Sequence, residues 1–151
     1  MIATSQTLEG LTGLLKSGHH VIFWDIEGTS FEKAERTLKK VQKKYHLAHI
    51  YLVSDFKNSY RAWCWSRVTF PTLMLILTDS LSILDYNFYY YTVKRRKATL
   101  RTAKKKDRPQ QKVISVLPSY FAEIPEEMER VIYDTGTEKR GFSVLLGDKD
   151  G

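Results

Sequence analysis

Length, composition and charge already exclude several classes of protein. The chain has 151 residues, 42% hydrophobic and 13% aromatic, which predicts a single domain over residues 1–151 with a sizeable core. The lone cysteine, Cys64, cannot form an internal disulfide, which argues against a stapled secreted domain and favours a reducing, cytoplasmic location. No apolar stretch reaches the length of a membrane span, and the N-terminus lacks the pattern of a signal peptide.

The net charge of +7 is concentrated in one basic segment, residues 92–112. The segment holds ten positive residues and one acid, Asp107, so it carries +9 and leaves −2 for the rest of the chain. Its positive residues are Lys94, Arg95, Arg96, Lys97, Arg101, Lys104, Lys105, Lys106, Arg108 and Lys112. A basic segment on a nearly neutral body predicts a polyanionic partner, most simply nucleic acid, and the alternative is a solvated charged loop.

The first third of the chain is predicted to alternate helix and strand. Leucines at helical spacing predict a short helix over Thr7–Lys16 that ends at Gly18. The continuous apolar run Val21–Trp24 predicts a strand that is buried on both faces. Ser30 is a suitable N-cap for an amphipathic helix that runs to about Tyr45.

Two strands and a helix are predicted next. The strands are Ala48–Val53 and Tyr60–Val68, with a polar turn between them. Phe70–Leu77 is predicted to be a helix because Pro71 suits its first turn.

The remainder of the chain predicts more extended structure and a last helix. The stretch "FYYYTVKRRKATLRT" predicts one or two strands with a hairpin tip at Lys94–Lys97, although Asp85–Val93 also fits a short helix. "KVISVL" predicts a strand, and Pro125 is predicted to open a helix through "EEMERVIYDTG". This order of elements predicts an α+β fold, with a mainly antiparallel sheet flanked by helices on one or both faces.

Two acids, Asp25 and Glu27, follow the apolar run of the first strand in "HHVIFWDIEGTS". Residues i and i+2 of a strand point to the same face, so the two carboxylates can converge. A divalent cation relieves the repulsion between close carboxylates by sharing their oxygens, and such a site suits phosphate chemistry. The alternative is structural: Glu27 and Gly28 form a turn, and Asp25 bonds the N–H groups of the following helix.

A third carboxylate usually completes a phosphoryl-transfer site, and Asp85 is the best candidate. It follows a short apolar run in "SILDYN", as Asp25 follows its own run. Asp79 competes with it, but "LTDS" is more typical of a turn at a helix end. For either residue, the structural alternative is a turn carboxylate that bonds its own backbone.

The turn in "SDFKNSYRAWCW" and the strand in "ATLRTAKKKDR" supply candidate phosphate ligands. Hydroxyl and N–H groups at Ser54 and Ser59 can cradle a triphosphate while Lys57 and Arg61 balance its charge. An ordinary polar hairpin loop is the alternative. Arg101 is predicted to point away from the Leu100 face, where a phosphate or a site carboxylate would serve as its partner. The lysines after it suit the backbone of DNA or RNA.

In their order along the chain, these motifs resemble those of the archaeo-eukaryotic primase and primase-polymerase superfamily, in particular its small plasmid and phage members. The motifs are "FWDIEG", "LVSDFKNSYRAW", "ILD" and "TLRTAKKKDR", and the resemblance covers roughly Val21–Leu117. It implies a primase-polymerase-like (RRM-like) catalytic core that makes or extends primers on single-stranded nucleic acid. It implies a DNA or RNA template and nucleotides as partners, with a helicase or other replication subunit alongside.

The resemblance also implies roles for individual residues. Asp25, Glu27 and Asp85 would be the catalytic ligands of two metal ions, Mg²⁺ or Mn²⁺. Ser54, Lys57 and Ser59 would contact the incoming triphosphate, with Arg101 near the same site. The family's histidine falls near Tyr60 or Arg61, and neither is histidine. Arg61 can bind phosphate in its place, but a permanent cation cannot share the proton chemistry of imidazole.

Two other functions are compatible with the sequence. One is a replication-initiation or single-strand-binding protein that keeps the fold without catalysis. The other is a metal-dependent nuclease, because "DIEGT" also resembles the first motif of proofreading-type exonucleases. The four histidines, His19, His20, His46 and His49, show no ligand pattern and are predicted to be surface or strand-edge residues.

Overall fold

The computed structural model describes residues 8–56, 58–101, 112–123, 127–133 and 138–145. These residues form eight strands and three helices, arranged as two four-stranded sheets that are antiparallel at every pairing. The predicted α+β class with antiparallel strands and flanking helices is therefore confirmed, although the strands divide between two sheets.

The first sheet, called here the central sheet, has the strand order β2-β4-β3-β6. Its strands are β2 (His20–Glu27), β3 (Ile50–Phe56), β4 (Ser59–Val68) and β6 (Lys112–Leu117). Each of these four strands coincides with a predicted strand to within a few residues at either end. Strand β2 lies at one edge of the sheet, and its residues from His20 to Trp24 are buried, as predicted for the apolar run.

The second sheet has the order β5-β1-β7-β8. Its strands are β1 (Leu8–Thr12), β5 (Thr99–Arg101), β7 (Glu127–Tyr133) and β8 (Glu138–Leu145). The two sheets meet near Gly13, whose N–H donates to Ala98 O and whose carbonyl accepts from Val21 N, both at 2.8 Å. A Cβ added at Gly13 would lie 2.6 Å from Val21 O, so glycine permits this close approach of two backbones.

Each of the three helices in the described residues begins at a side-chain N-cap. Ser30 caps α1 (Phe31–Tyr45), and Thr69 caps α2 (Phe70–Asp79), which has Pro71 in its first turn. Both helices and the Ser30 cap were predicted. Asp85 caps α3 (Tyr86–Arg95), which confirms the short helix that was the alternative for this stretch.

The helices α1 and α2 cover one face of the central sheet, called here the dry face. The dry face carries Trp24, Ala62, Cys64 and Leu52, which are fully buried, as are Ile22, Ile26 and Ile50. The Trp24 indole N–H donates to Ser80 Oγ, just after α2, at 3.1 Å. Burial of this apolar surface is the main source of stability for the fold.

Two predicted helices are strands in the structure. Residues 8–12 form β1, because they pair with β5 and β7, and Gly10 approaches the Leu100 carbonyl too closely for any Cβ. Residues 127–133 form β7, which pairs with β1 and β8, in place of the helix predicted after Pro125. Long-range pairing outweighs local helical spacing in both segments.

One further prediction is wrong, and another holds in part. Lys94–Lys97 is not a hairpin tip: α3 ends at Arg95, and Arg96 is its left-handed C-cap. His20 is the first residue of the edge strand β2, as the strand-edge alternative predicted, but it is not on the surface: it is 3% exposed, its ring lies 5.4 Å from that of Phe70, and burial lowers its pKa. Among the described residues, no helix has the length and apolar character needed to cross a bilayer.

Candidate active-site cleft

The structure brings together Asp25 and Asp85, which lie sixty positions apart in the sequence. The segment before α3 pairs with the outer edge of β2 through an antiparallel bridge between Ile26 and Leu84. Asp85 N–H donates to Asp25 O at 2.8 Å, and Glu27 N–H donates to Ile83 O at 3.2 Å. The backbone of Asp85 is therefore held beside Asp25 by hydrogen bonds on either side of the bridge.

Asp25 and Asp85 both line one cleft between the end of β2 and α3. The cleft has a volume of about 130 Å³, enough for several waters or for a phosphate group with a small cation. Its lining residues are Asp25, Asp85, Asn87, Phe88, Tyr91, Thr92, Arg95, Lys97 and Thr99. Two acids and two bases thus share a small cleft, an arrangement suited to holding a group with both phosphate oxygens and a cation.

Asp85 has a structural role as well as a place in the cleft. Its Oδ2 accepts from Phe88 N at 3.1 Å, which is the N-cap bond of α3. Asp25 has no such role in the next helix, since Ser30 caps α1. Asp85 therefore has the structural role that was considered as the alternative, as the cap of α3. Asp25 is not the cap of α1.

The competing acid, Asp79, belongs to a different part of the molecule. It is the last residue of α2, and its Oδ2 accepts from Lys44 Nζ at 2.7 Å and from Tyr45 OH at 2.6 Å. The hydrogen bond from Lys44, followed by that from Tyr45, lowers the pKa of Asp79. The prediction that Asp79 ends a helix is confirmed, and the residue joins α2 to α1.

Arg61 occupies the position directly opposite Asp25 on β4. Opposite residues of antiparallel strands share a face, so the guanidinium of Arg61 belongs on the Asp25 side of the sheet. Tyr60 is on the other side, where its ring lies 6.2 Å from that of Phe31 in α1. Of the two positions considered for the family's histidine, only Arg61 therefore shares a face with Asp25, and it is 8% exposed.

Glu27 is exposed at the end of β2 and does not line the cleft, although strand alternation puts it on the same side as Asp25. Within the described residues, no three His, Cys, Asp or Glu side chains form a group that suits a metal ion. With two acids lining the cleft, a Mg²⁺ or Mn²⁺ ion there would need further oxygen ligands. These ions are often held by one or two carboxylates together with substrate phosphates.

The polar turn between β3 and β4 lies at the same end of the sheet as the acids. Gly28 N–H donates to Asn58 O at 3.0 Å, and Ser59 is opposite Glu27. Ser54 is opposite Tyr60, so it lies on the face that α1 covers and does not share the face of Asp25. Lys57, the other predicted ligand in this turn, lies outside the described residues.

The basic residues at the end of α3 have three different surroundings. Arg95 and Lys97 line the cleft, and Lys94 is exposed on the outer side of the helix. Arg96 turns to α2, where its guanidinium carbon lies 4.6 Å from the centre of the Phe70 ring. Only part of the predicted nucleic-acid surface therefore faces the cleft.

The rest of the basic segment lies largely outside the described part of the chain. Lys104, Lys105, Lys106 and Arg108 fall in the gap between residues 101 and 112. Arg101 ends β5 opposite Gly10, but its side chain is not described. The predictions for these five residues stay predictions.

Sequence interpretation missed Asn87 and Tyr91, which line the cleft with Arg95. These three residues are spaced four apart and form one stripe of α3. The spacing was available in the sequence, but the stretch was interpreted mainly as strand, in which such residues do not align.

No match to this chain was found among protein-family models, curated proteins or solved structures. The function must therefore be inferred from the cleft itself.

Proposed function

We propose that the chain is a primase-polymerase-like nucleotidyltransferase that makes or extends primers on single-stranded nucleic acid, with its active site in the Asp25–Asp85 cleft. The observation that carries the proposal is the backbone hydrogen bond between Asp85 and Asp25, which brings two acids from distant segments to one cleft. The resemblance based on the order of motifs also implies that these two acids belong to one site. The proposal extends to the fold, as a variant of the primase-polymerase core.

The charges of the cleft support transfer of a phosphoryl group. Arg95 and Lys97 line it and would balance the charge of an incoming triphosphate. Arg61, opposite Asp25 and almost buried, would offset the charge of that carboxylate and orient it. Asn87 adds an amide that can hydrogen-bond a sugar or a phosphate oxygen.

Asp25 and Asp85 would hold Mg²⁺ or Mn²⁺, and Glu27 lies on the same side of β2 as a further oxygen ligand. The bound ions would neutralise phosphate charge and lower the pKa of the attacking 3′-hydroxyl. The N-cap bond of Asp85 holds its carboxylate to the start of α3, so that α3 sets the orientation of this ligand. Arg61 does not accept a proton, so the proton of the hydroxyl would leave through a carboxylate or water.

A second function is favoured by the groups that already face the two acids within the protein. Asp85 already accepts a helix N–H, and Arg61 stands opposite Asp25. In a non-catalytic nucleic-acid-binding protein of the same fold, these acids would serve structure, and Arg95 and Lys97 would contact phosphates. The two functions differ in whether the carboxylates are needed for a chemical product.

The deciding experiment incubates the protein with a single-stranded template, labelled ribo- or deoxynucleotides, and Mg²⁺ or Mn²⁺. We expect labelled extension products that are lost in Asp25→Asn and in Asp85→Asn. Asparagine caps helices as well as aspartate does, so Asp85→Asn removes the charge and keeps the cap of α3. Asp79→Asn is the matched control, because it removes an acid outside the cleft.

Each other outcome selects another function. Shortened template that disappears in Asp25→Asn would indicate a metal-dependent nuclease. A salt-sensitive shift of the template, with no product and no effect of Asp25→Asn, would indicate the binding protein. Equal loss of extension in Asp79→Asn would show that the cleft is not the active site.

A further inference from the structure

The helix α3 has three stripes with different surroundings. Phe88 and Thr92 are buried, and the stripe with Tyr91 and Arg95 faces the cleft. The third stripe points outward and consists of Tyr86, Tyr90 and Lys94, spaced four residues apart; it is called here the tyrosine stripe. No role in the cleft accounts for two aromatic rings at these outward positions.

The two rings of the tyrosine stripe are exposed and aligned. Tyr86 is 72% exposed and Tyr90 is 46% exposed. Their ring centroids lie 6.4 Å apart at an angle of 23°, so the rings are roughly parallel. Tyr90 also meets Tyr91 edge to face at 5.1 Å, which limits its freedom to move. The rings therefore present flat, pre-oriented apolar surfaces to solvent.

Positive groups stand at the end of this row of rings. Lys94 Nζ lies 5.9 Å from the Tyr90 centroid and 6.0 Å from the Tyr91 centroid. The guanidinium carbon of Arg95 lies 4.7 Å from the Tyr91 centroid. Aromatic rings for bases, next to cations for phosphates, are the usual means by which proteins bind single-stranded nucleic acid. An acidic protein partner would match the cations but would not require flat, roughly parallel rings.

We propose that the tyrosine stripe is a stacking surface for the bases of single-stranded nucleic acid and guides that strand to the Asp25–Asp85 cleft. This inference rests on the proposed function for the purpose of the strand. From Tyr86 to Lys94 the helix rises about 12 Å, which is room for about three stacked nucleotides. Tyr91 and Arg95 connect the stripe with the cleft, since Tyr90 and Lys94 contact Tyr91 and both Tyr91 and Arg95 line the cleft.

The test measures binding to two fluorescent 12-nucleotide strands by anisotropy at fixed salt. One strand has bases and the other is abasic, so both carry the same phosphates. We expect Tyr86→Ala combined with Tyr90→Ala to weaken binding of the strand with bases at least about tenfold, because each stacked base contributes measurably. Binding of the abasic strand should change by less than about twofold, because Lys94 and its neighbours are untouched.

Three controls make the result specific. Tyr86→Phe combined with Tyr90→Phe keeps the rings and should bind like the wild type. Tyr120→Ala removes a fully exposed tyrosine that follows β6, at the opposite edge of the central sheet from β2, and should change neither affinity. Thermal unfolding should be nearly unchanged in all variants, because the substituted rings are exposed.

Equal affinity of the alanine variant and the wild type for the strand with bases would overturn the proposal. An equal loss on the abasic strand would also overturn it, since the effect would then not involve bases. Failure of the proposed function would give a different result. Neither the wild type nor Asp25→Asn would make extension products, but the alanine variant would still bind the strand with bases more weakly and the abasic strand as before. If the wild type makes extension products but the alanine variant binds both strands as the wild type does, the role of the tyrosine stripe is refuted and the proposed function is not.

Discussion

The two faces of the central sheet differ in the polarity of the side chains that they carry. The dry face meets α1 and α2 with fully buried side chains such as Trp24, Ala62 and Cys64, and the indole N–H bonds Ser80. The opposite face, called here the charged face, carries Asp25 and Arg61 opposite each other. Asp25 and Trp24 are adjacent in the chain and belong to different faces because a strand alternates.

Under the proposed function, the two faces of one strand have separate roles, one in stability and one in chemistry. Carboxylates under α1 and α2 would be desolvated at a high cost in free energy. The cleft beside α3, in contrast, keeps the carboxylates near water and cations. Substitutions of the acids that line the cleft should therefore change activity, and those on the dry face should change stability. Asp25→Asn and Trp24→Phe test that division directly and have the largest expected effects, and the remaining predictions test single contacts in the same sheet.

Asp25→Asn should reduce primer extension by at least about 100-fold, which corresponds to roughly 2.7 kcal/mol of transition-state stabilisation. The physical reason is that the amide binds a divalent cation far more weakly than the carboxylate does. The midpoint of thermal unfolding should stay within about 2 °C of the wild type, which calorimetry checks. A large fall in the melting temperature with full activity per folded molecule would reverse the roles of the two faces.

Trp24→Phe, one position away, should show the opposite pattern. It removes part of a fully buried side chain and the hydrogen bond to Ser80, and should cost about 2 kcal/mol of unfolding free energy. Urea denaturation measures this loss. Extension per folded molecule should change by less than about twofold, and a loss as large as that in Asp25→Asn would contradict the division of labour.

Tyr51→Phe tests a polar contact on the charged face. Tyr51 is opposite Trp63, and its hydroxyl donates to Glu123 Oε1 at 2.6 Å. Burial, with the bond to Glu123, raises the pKa of Tyr51 to about 12. The free energy of unfolding of the variant, measured by urea denaturation at pH 8, should be about 1 kcal/mol lower than that of the wild type.

The pH dependence of that loss has a definite sign. A raised pKa favours the neutral hydroxyl in the folded state, so its contribution is complete below pH 10 and is lost as the pH rises toward 12. The difference between Tyr51→Phe and the wild type should therefore shrink over that window in urea titrations. A difference that grows with pH would show that the ionised form is the one stabilised.

His20→Phe should change stability on the acid side by a smaller amount. Burial, then the charges of His19 and Arg96, lower the pKa of His20. A histidine with a lowered pKa contributes stability that is present above pH 6.5 and is lost as the pH falls below it. The wild type should therefore lose more unfolding free energy between pH 6.5 and 5 than the variant. Parallel pH profiles would exclude this role.

The last prediction changes no residue and concerns Cys64, on the dry face. Its Sγ donates to Ala48 O at 3.5 Å, and burial raises the pKa of the thiol. A thiol-specific reagent should therefore react with the native protein more than about 100-fold more slowly than with the urea-unfolded protein. Fast reaction at native pH would show that the core opens at β4.

Local signals were sufficient for the elements with strong punctuation. Ser30 predicted the start of α1, Pro71 lies in the first turn of α2, and the apolar run before Asp25 predicted β2. Local signals failed for β1, where leucines at helical spacing are in a strand that pairs with β5 and β7. The partners of β1 lie some ninety or more residues away, and no local pattern specifies them.

The candidate site was predictable in part for the same reason. The acids and bases were visible as residue types, and strand alternation predicted a shared face for Asp25 and Glu27, but the faces of residues on other strands were not predictable. Ser54 lies on the face covered by α1, and Arg61, not Tyr60, shares the side of Asp25. The strand period of two makes this assignment depend on the register, and pairing with β2 sets the register.

By itself, the sequence determined the buried strand that ends in Asp25 and Glu27, the capped helix after it, and the concentration of positive charge beyond residue 92. These follow from side-chain polarity and from periods of 2 and 3.6, which act over a few residues. The order of motifs had favoured Asp85 over Asp79 as the acid beside Asp25, but only the tertiary structure shows how they meet: Asp85 N–H donates to Asp25 O, while Asp79 joins two helices. The physical reason is that the outer edge of β2 had unpaired backbone groups, and the residues before α3 supply the hydrogen bonds that satisfy them.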